Sequence, residues 1–439
     1  MHAPLRLLAI GLIVLASLAA VGCGGDDEAA DDENGPAETP AEGASPSFEL
    51  VIGPVLPLTG DLASFGPSQA EAARIAVEQI QEVLDAEGLS DVAVTLLPVE
   101  DDGGRSQAGV EAATKHVQTD EADVLLGTMA SSVTIPMAES VAIPNEVVQI
   151  TPTSTAPEIT DLEDDGLVFR ILSSDNLQGS ALVDAVADAF GSDATINVGA
   201  RNDAFGTALK ELFEQGWEEG GGTIGASVAW NPEASTFDTE AGQLAGGDPD
   251  GWVIIDFPET FARVGPALVR AGGWDPAMTF MTEAMRNADE LQNIGAQATE
   301  GLRGTAPTSE DAPARDPFDV LFEQEAEEGS PLTGFEGASF DAVLLAFLAA
   351  LSAGSSDPND IKEQLQAVSG PPGEKYTFEQ LDQAVQDLQA GEDIDYEGAW
   401  GPIDFDDNGD PGSAIYEVWE FDGAEVSTQT TFTFEGGGE

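Results

Sequence analysis

The chain has 439 residues, of which 82 are acidic and 14 basic, for a formal charge of −68 and an ordinary apolar content of 42%. This balance excludes nucleic-acid binding, because phosphate contacts need Lys and Arg, and an anionic membrane surface repels such a chain. A single cysteine excludes an internal disulfide, and the length allows two domains.

The chain opens on Met1 to Arg6, followed by fifteen mostly apolar residues from Leu7 to Val21 and then Gly22-Cys23-Gly24-Gly25. A positive start, a short apolar stretch and small residues describe a secretory signal over 1–22. The apolar stretch is shorter than the roughly 20 residues that cross a bilayer. Val21-Gly22-Cys23 resembles a bacterial lipobox, with Ala20 where Leu is usual, so Cys23 is expected to carry a lipid. The plainer alternative is a signal peptide with an incidental cysteine. Residues 23–47 are expected to be a flexible acidic tether, being rich in Asp, Glu, Ala, Gly and Pro without an aromatic side chain. The acidic excess reads as a solvated coat adapted to high salt, where the Debye length falls to about 3 Å at 1 M and self-repulsion is screened. Broad calcium binding or simple solubility are the alternatives.

Beyond the tether, strands and helices alternate. Leu50-Val51-Ile52 reads as a strand and leads into the loop Leu58 to Gly66. A helix is expected to open at Ser68, with Glu71 three residues later as a capping box, and its apolar residues from Ala72 to Leu84 keep helical spacing. Val92–Val99 reads as a strand and Ser106–Val117 as a helix. Two hydroxyl-rich loops then follow consecutive apolar runs. Gly127 to Pro136, with Ser131, Ser132 and Thr134, follows Val124-Leu125-Leu126. Thr151 to Pro157, with Thr153 and Thr155, follows Val147 to Ile150. Ligands of open parallel sheets sit beyond the carboxyl ends of the strands. Hydroxyls and amides there suit a small carboxylate, and they suit turns and helix caps equally.

A second series begins near Ser173. It comprises a helix 176–190, a strand 195–198, a helix 205–217 and strands 225–230, 252–257 and 279–283. Such alternation predicts an α/β protein with parallel sheets covered on both faces, in two lobes. The apolar stretch Ser339–Ala353 reads as a helix buried against the first lobe. In the tail, Asp404 to Asp410 has partial calcium-loop spacing, but Ile415 stands where a calcium loop needs Glu. A hairpin turn between 403–405 and 415–421 fits better.

Catalytic groupings are missing. His116 is the only histidine after the signal and is expected on a helix surface. No nucleophile elbow, zinc motif or phosphate loop is present. Gly220 to Gly225 satisfies Gly-x-Gly-x-x-Gly, but it follows a helix and precedes a strand, the reverse of a dinucleotide site. Neither an enzyme nor a bound cofactor or metal is expected.

Several segments, in order, resemble the substrate-binding lipoproteins of branched-chain amino acid ABC importers, the Leu/Ile/Val-binding kind of type 1 periplasmic binding protein. They are Ile52 to Gly60, Asp101-Asp102-Gly103, Gly127 to Pro136, Ile150 to Thr160, Phe169-Arg170, Asn202 to Gly206 and Gly401 to Asp410, within about Glu49 to Glu425. The resemblance implies two Rossmann-like lobes joined by a three-strand hinge, with the ligand cleft between them. Lobe 1 would hold 48–172 plus 305–410, and lobe 2 would hold 173–304 plus 411–434. It also implies that Ser131 and Thr155 take an amino acid's carboxylate, the backbone at Thr153 its ammonium, and Glu283 pairs with that ammonium. Phe65, Phe205 and Phe257 would enclose the side chain, with Phe257 equally at home in ordinary core. Family members often carry tyrosine at the last two positions. Asp256 would add charge near the ammonium or face solvent. The implied partners are a permease and an ATPase, with the membrane reached only through the lipid, and the protein acting extracytoplasmically as a monomer. A sensory receptor of the same fold, a binder of an amide, urea or an aromatic acid, and a structural lipoprotein are the rival readings.

Overall fold

The computed structural model describes residues 46–309, 312–327 and 330–435. The signal segment, Cys23 and the tether up to residue 45 lie outside the described residues. Two sheets organise the rest. The first contains β1 (Phe48–Leu56), β2 (Val92–Leu96), β3 (Glu100–Asp101), β4 (Val124–Leu126), β5 (Val148–Thr151) and β6 (Val168–Arg170). Its order is β2-β1-β4-β5-β6, all parallel, with β3 pairing to the end of β1. The second sheet takes β7 (Thr195–Arg201), β8 (Thr223–Trp230), β9 (Gly251–Ile255), β10 (Thr279–Met281) and β11 (Arg303–Pro307). A ribbon of β12 (Glu374–Tyr376) and β13 (Ile394–Tyr396) stands apart, and β14 (Ser413–Phe421) and β15 (Val426–Glu435) complete the second sheet in the order β15-β14-β11-β10-β9-β7-β8.

Helices on both faces explain the strand composition. β4, β5 and β9 are buried along their whole length, β4 and β9 without a polar side chain and β5 with Gln149 and Thr151, whereas β8, at an edge, alternates between exposed and covered. The chain passes between the sheets after β6, after β11 and before β14, so each lobe is assembled from separate stretches. β11 carries the second sheet as far as Pro307, past the boundary expected at 304. The helix Glu336–Ala353 is long and apolar enough to cross a membrane, yet it is buried and packs on β1, β4, β5 and the helix Gly66–Glu87. Its sequence lacks a polar face because it has no solvent side.

Four local expectations are corrected. The helix expected at Ser68 begins at Gly66 with Phe65 at its cap, and no side chain caps it. The Ser68 hydroxyl donates to the Phe65 carbonyl (2.9 Å), and Glu71 pairs with Arg74 instead (2.7 Å). The strand expected to reach Val99 ends at Leu96. His116 is fully buried, with Nε2 3.1 Å from the Pro54 carbonyl and Nδ1 3.3 Å from Asp120. Gly53 makes this possible, since a Cβ there would lie 2.8 Å from the His116 ring. In the tail, the Asp406 carboxylate accepts the amides of Asn408 (2.8 Å) and Asp410 (3.1 Å), closing a turn with a Phe405–Pro411 bridge. The expected hairpin does not form, because Ile415 pairs with Thr433.

Candidate functional site

The two hydroxyl loops emerge side by side from adjacent strands β4 and β5, and their polar groups divide into two sets. One set ties the loops together. Thr134 Oγ1 lies 2.7 Å from Ser154 Oγ and 3.0 Å from Thr128 Oγ1, and Thr151 Oγ1 donates to the Thr128 carbonyl (2.5 Å). The other set faces a cavity between the lobes, lined by Ser131, Thr153 and Thr155. Ser131 Oγ accepts the Ala156 amide (3.2 Å), and Thr153 Oγ1 donates to the Met129 carbonyl (3.2 Å). The Thr155 carbonyl accepts the Asp175 amide (2.8 Å) and Arg170 Nη1 (3.0 Å).

Arg170 holds this wall from behind. Its guanidinium is fully buried and forks onto Asp410, with Nε–Oδ1 at 2.6 Å and Nη2–Oδ2 at 2.5 Å, while Nη1 also reaches the Ala156 carbonyl (3.0 Å). Planar guanidinium geometry suits this paired recognition. The segments at Phe169-Arg170 and Asp410 therefore meet, although 240 residues separate them in the chain.

The second lobe supplies an acid and two aromatic rings. Glu283 opens a one-turn helix just after β10, is 6% exposed, and accepts Gln178 Nε2 (2.5 Å). Burial pushes its carboxyl above the usual range, against the Gln178 bond. Phe205 sits in the first turn of the helix Ala204–Glu219, where Asp203 caps the Gly206 amide (3.0 Å). Its ring stacks on Phe257 at 5.3 Å and 15°. On the first-lobe side, Phe65 meets Phe335 edge-on (5.8 Å, 64°), and Phe335 stacks on Trp400 (5.7 Å). Every residue singled out as a ligand contact in the sequence, Ser131, Thr153, Thr155, Phe205, Glu283, Phe65 and Phe257, lines this one cavity.

Other lining residues had no local signal. Leu62, Met129, Leu172, Ala284 and Phe335 come from scattered loops and converge only through the fold. Asp256 does not face solvent. It is fully buried, its Oδ1 lies 3.7 Å from Arg201 Nη1, and burial pushes it to about 8 despite the Arg201 charge. Arg201 in turn lies over the Phe257 ring (3.8 Å) and reaches Asp61 of the first lobe (3.0 Å), which also accepts Thr260 Oγ1 (3.2 Å). This contact spans the two lobes beside the cavity. Among the described residues, no group of three or more His, Cys, Asp or Glu is arranged to hold a metal ion.

Residues 49–410 match the family model for periplasmic binding proteins. The chain belongs to that family. Members of the family are extracytoplasmic binding proteins rather than enzymes, in agreement with the missing catalytic groupings. The chain is 25% identical over 361 residues to the chemotactic signal transduction system substrate-binding protein BasB of Halobacterium salinarum, covering 81% of this chain and 83% of that one. It is 26% identical over 326 residues to the leucine-, isoleucine-, valine-, threonine- and alanine-binding protein of Pseudomonas aeruginosa, covering 71% and 80%. Among solved structures, the leucine-binding protein LivK of Thermotoga maritima superposes with a TM-score of 0.70 at 22% identity, covering 87% of this chain and 98% of that one. The two-lobed α/β architecture expected from the sequence is the one this periplasmic binding protein adopts.

Proposed function

We propose that this periplasmic binding protein is the solute-binding component of an ABC importer and closes on a small amino acid with an apolar side chain. The observation that carries this reading is the composition of a single cavity. Hydroxyls and amides stand on the first-lobe wall, a buried carboxylate on the second, and aromatic and aliphatic side chains lie between them. A zwitterion with an apolar body matches all three. Ser131 and Thr155 receive the carboxylate, helped by amides of the helix Ser131–Met137, whose first turn leaves N–H groups without helical partners. The Thr153 carbonyl and Glu283 receive the ammonium. Phenylalanine at 205 and 257 keeps an apolar wall and offers no hydroxyl to a polar side chain.

Contacts from both lobes make the ligand favour the closed arrangement, and that differential affinity is the signal a permease reads. In this reading the chain is an extracytoplasmic monomer, held to the membrane by a lipid on Cys23, and its partners are a permease and an ATPase. Ligand sensing is a second reading, favoured by the similarity to BasB, which is named for a chemotactic system. Stimulation of a reconstituted permease–ATPase pair separates the two.

The primary test is thermal unfolding of the chain from Ser47 onward, in high salt, against the twenty amino acids, urea and small amides. Binding to the native state adds about 2.7 kcal/mol at a hundredfold excess over Kd. A raised midpoint with Leu, Ile or Val is expected. A shift only with ligands lacking an ammonium discards the amino acid.

A further inference from the structure

Directly behind the cavity, at the start of the helix Asp175–Phe190, lies a second buried acid that no contact of the proposed ligand uses. Asp175 is fully buried, and its carboxylate oxygens make no well-formed hydrogen bond among the described residues, the Thr155 hydroxyl being the one side-chain donor that bears on them. Its position is tied to the site on two sides. Its amide donates to the Thr155 carbonyl (2.8 Å), and Gln178, one turn along the same helix face, donates to Glu283 (2.5 Å). Thr155 and Glu283 both line the cavity. Gln178 Oε1 is likewise buried without a partner, while the Thr282 hydroxyl bears on Glu283 itself. The second-lobe end of the cavity thus holds more buried acceptor capacity than donors to fill it, which costs free energy unless a further donor or a proton is supplied.

We infer that Asp175 and Glu283 form a carboxylate pair that holds one shared proton when the site is empty and gives it up when the ligand's ammonium enters. The inference rests on the amino-acid reading of the cavity. Two neighbouring buried carboxylates do not both ionise, and their protonation belongs to the pair. Burial, followed by the negative charge of Glu283, holds Asp175 well above the usual carboxylate range. The other groups facing Asp175 do not cancel this. The Thr155 hydroxyl and then Arg170 favour its ionised form, but Arg170 is committed to Asp410, Glu158 opposes ionisation, and Tyr416 is a neutral phenol raised by burial and bonded to Ser173 (2.8 Å). In the exchange the ammonium keeps its three N–H bonds, the pair becomes fully ionised around it, and the proton leaves to solvent. Asp175 is a positioning residue here, acting on the ligand through charge and through Glu283.

The test uses the full-length chain with L-leucine as probe, by titration calorimetry in buffers of different ionisation enthalpy. The wild type is expected to release protons on binding leucine, up to one per leucine and least at the highest pH tested. Asp175→Asn should bind more weakly and release none, and Glu283→Gln, as a second variant, should also release none. Release undiminished in these variants, or no release from a wild type that binds leucine, overturns the exchange.

A ligand-free measurement separates this from failure of the amino-acid reading. An acid raised in the folded state loses stability as pH rises through its folded value. The thermal midpoint of the empty wild type should therefore fall more steeply than that of Asp175→Asn as pH rises above the ordinary carboxylate range. Parallel curves overturn the shared proton. A steeper wild-type curve without leucine binding leaves the pair intact and overturns both the amino-acid reading and the exchange.

Discussion

The two walls of the cavity are built in opposite ways. On the first-lobe side, hydroxyls and carbonyls are bonded to one another and backed by the Arg170–Asp410 fork, so that wall is complete without a ligand. On the second-lobe side, acids are buried with acceptors unfilled, so that wall is complete only with a cation or protons. One wall holds its shape through internal bonds, and the other stores a demand for positive charge. Substitutions should therefore separate stability from binding according to the side they fall on.

The largest expected effect is on the first wall. Arg170→Met leaves the Asp410 charge buried without its cation, with only the Thr160 hydroxyl donating to it, and takes one of two donors from each of the Thr155 and Ala156 carbonyls. A loss of about 3–5 kcal/mol in denaturant unfolding is expected. A midpoint equal to wild type would break the comparison at once. Glu283→Gln acts on the other wall. It should weaken amino-acid binding by about 2–5 kcal/mol in calorimetry, while the empty protein unfolds at the same temperature or higher, because an unfavourable buried acid has gone. If the empty variant is markedly less stable, Glu283 is part of the scaffold after all. The smallest effect concerns the contact that joins the lobes at the cavity's edge. Asp61→Asn removes a partly exposed partner of Arg201 and should shift closure by less than about 1 kcal/mol. Small-angle scattering should show a more open ligand-free ensemble at about 0.1 M salt, the difference fading towards 1 M.

The strand–helix alternation was legible because β4 and β9 carry no polar side chain, as strands covered on both faces tend to. The hydroxyl loops were legible as a pair, but not the division of labour within them, since Thr134 and Thr155 differ only in which neighbour the fold brings near. Resemblance, rather than local chemistry, raised Glu283 above the other acids. Long-range packing hid the rest. His116 is buried because Gly53, far away in the chain, leaves room for its ring. Asp256 continues a buried strand and meets Arg201, a partner that sequence spacing does not announce. Asp175 follows the capping Ser174 and looks like an ordinary first-turn acid until Thr155 and Glu283 close around it.

The place of β14 imposes an order on synthesis. This strand lies antiparallel between β11 and β15, and its Trp419 fills the space that Gly304 leaves by lacking a Cβ. The second sheet consequently stays unfinished until the last strands have been made, and Arg170, made far earlier, waits for Asp410. A product stopped before residue 413 would carry the open edge of β11, Arg303–Pro307, with its backbone groups unpaired. Such an edge recruits other chains, so incomplete copies of this protein should precipitate rather than persist as half-molecules.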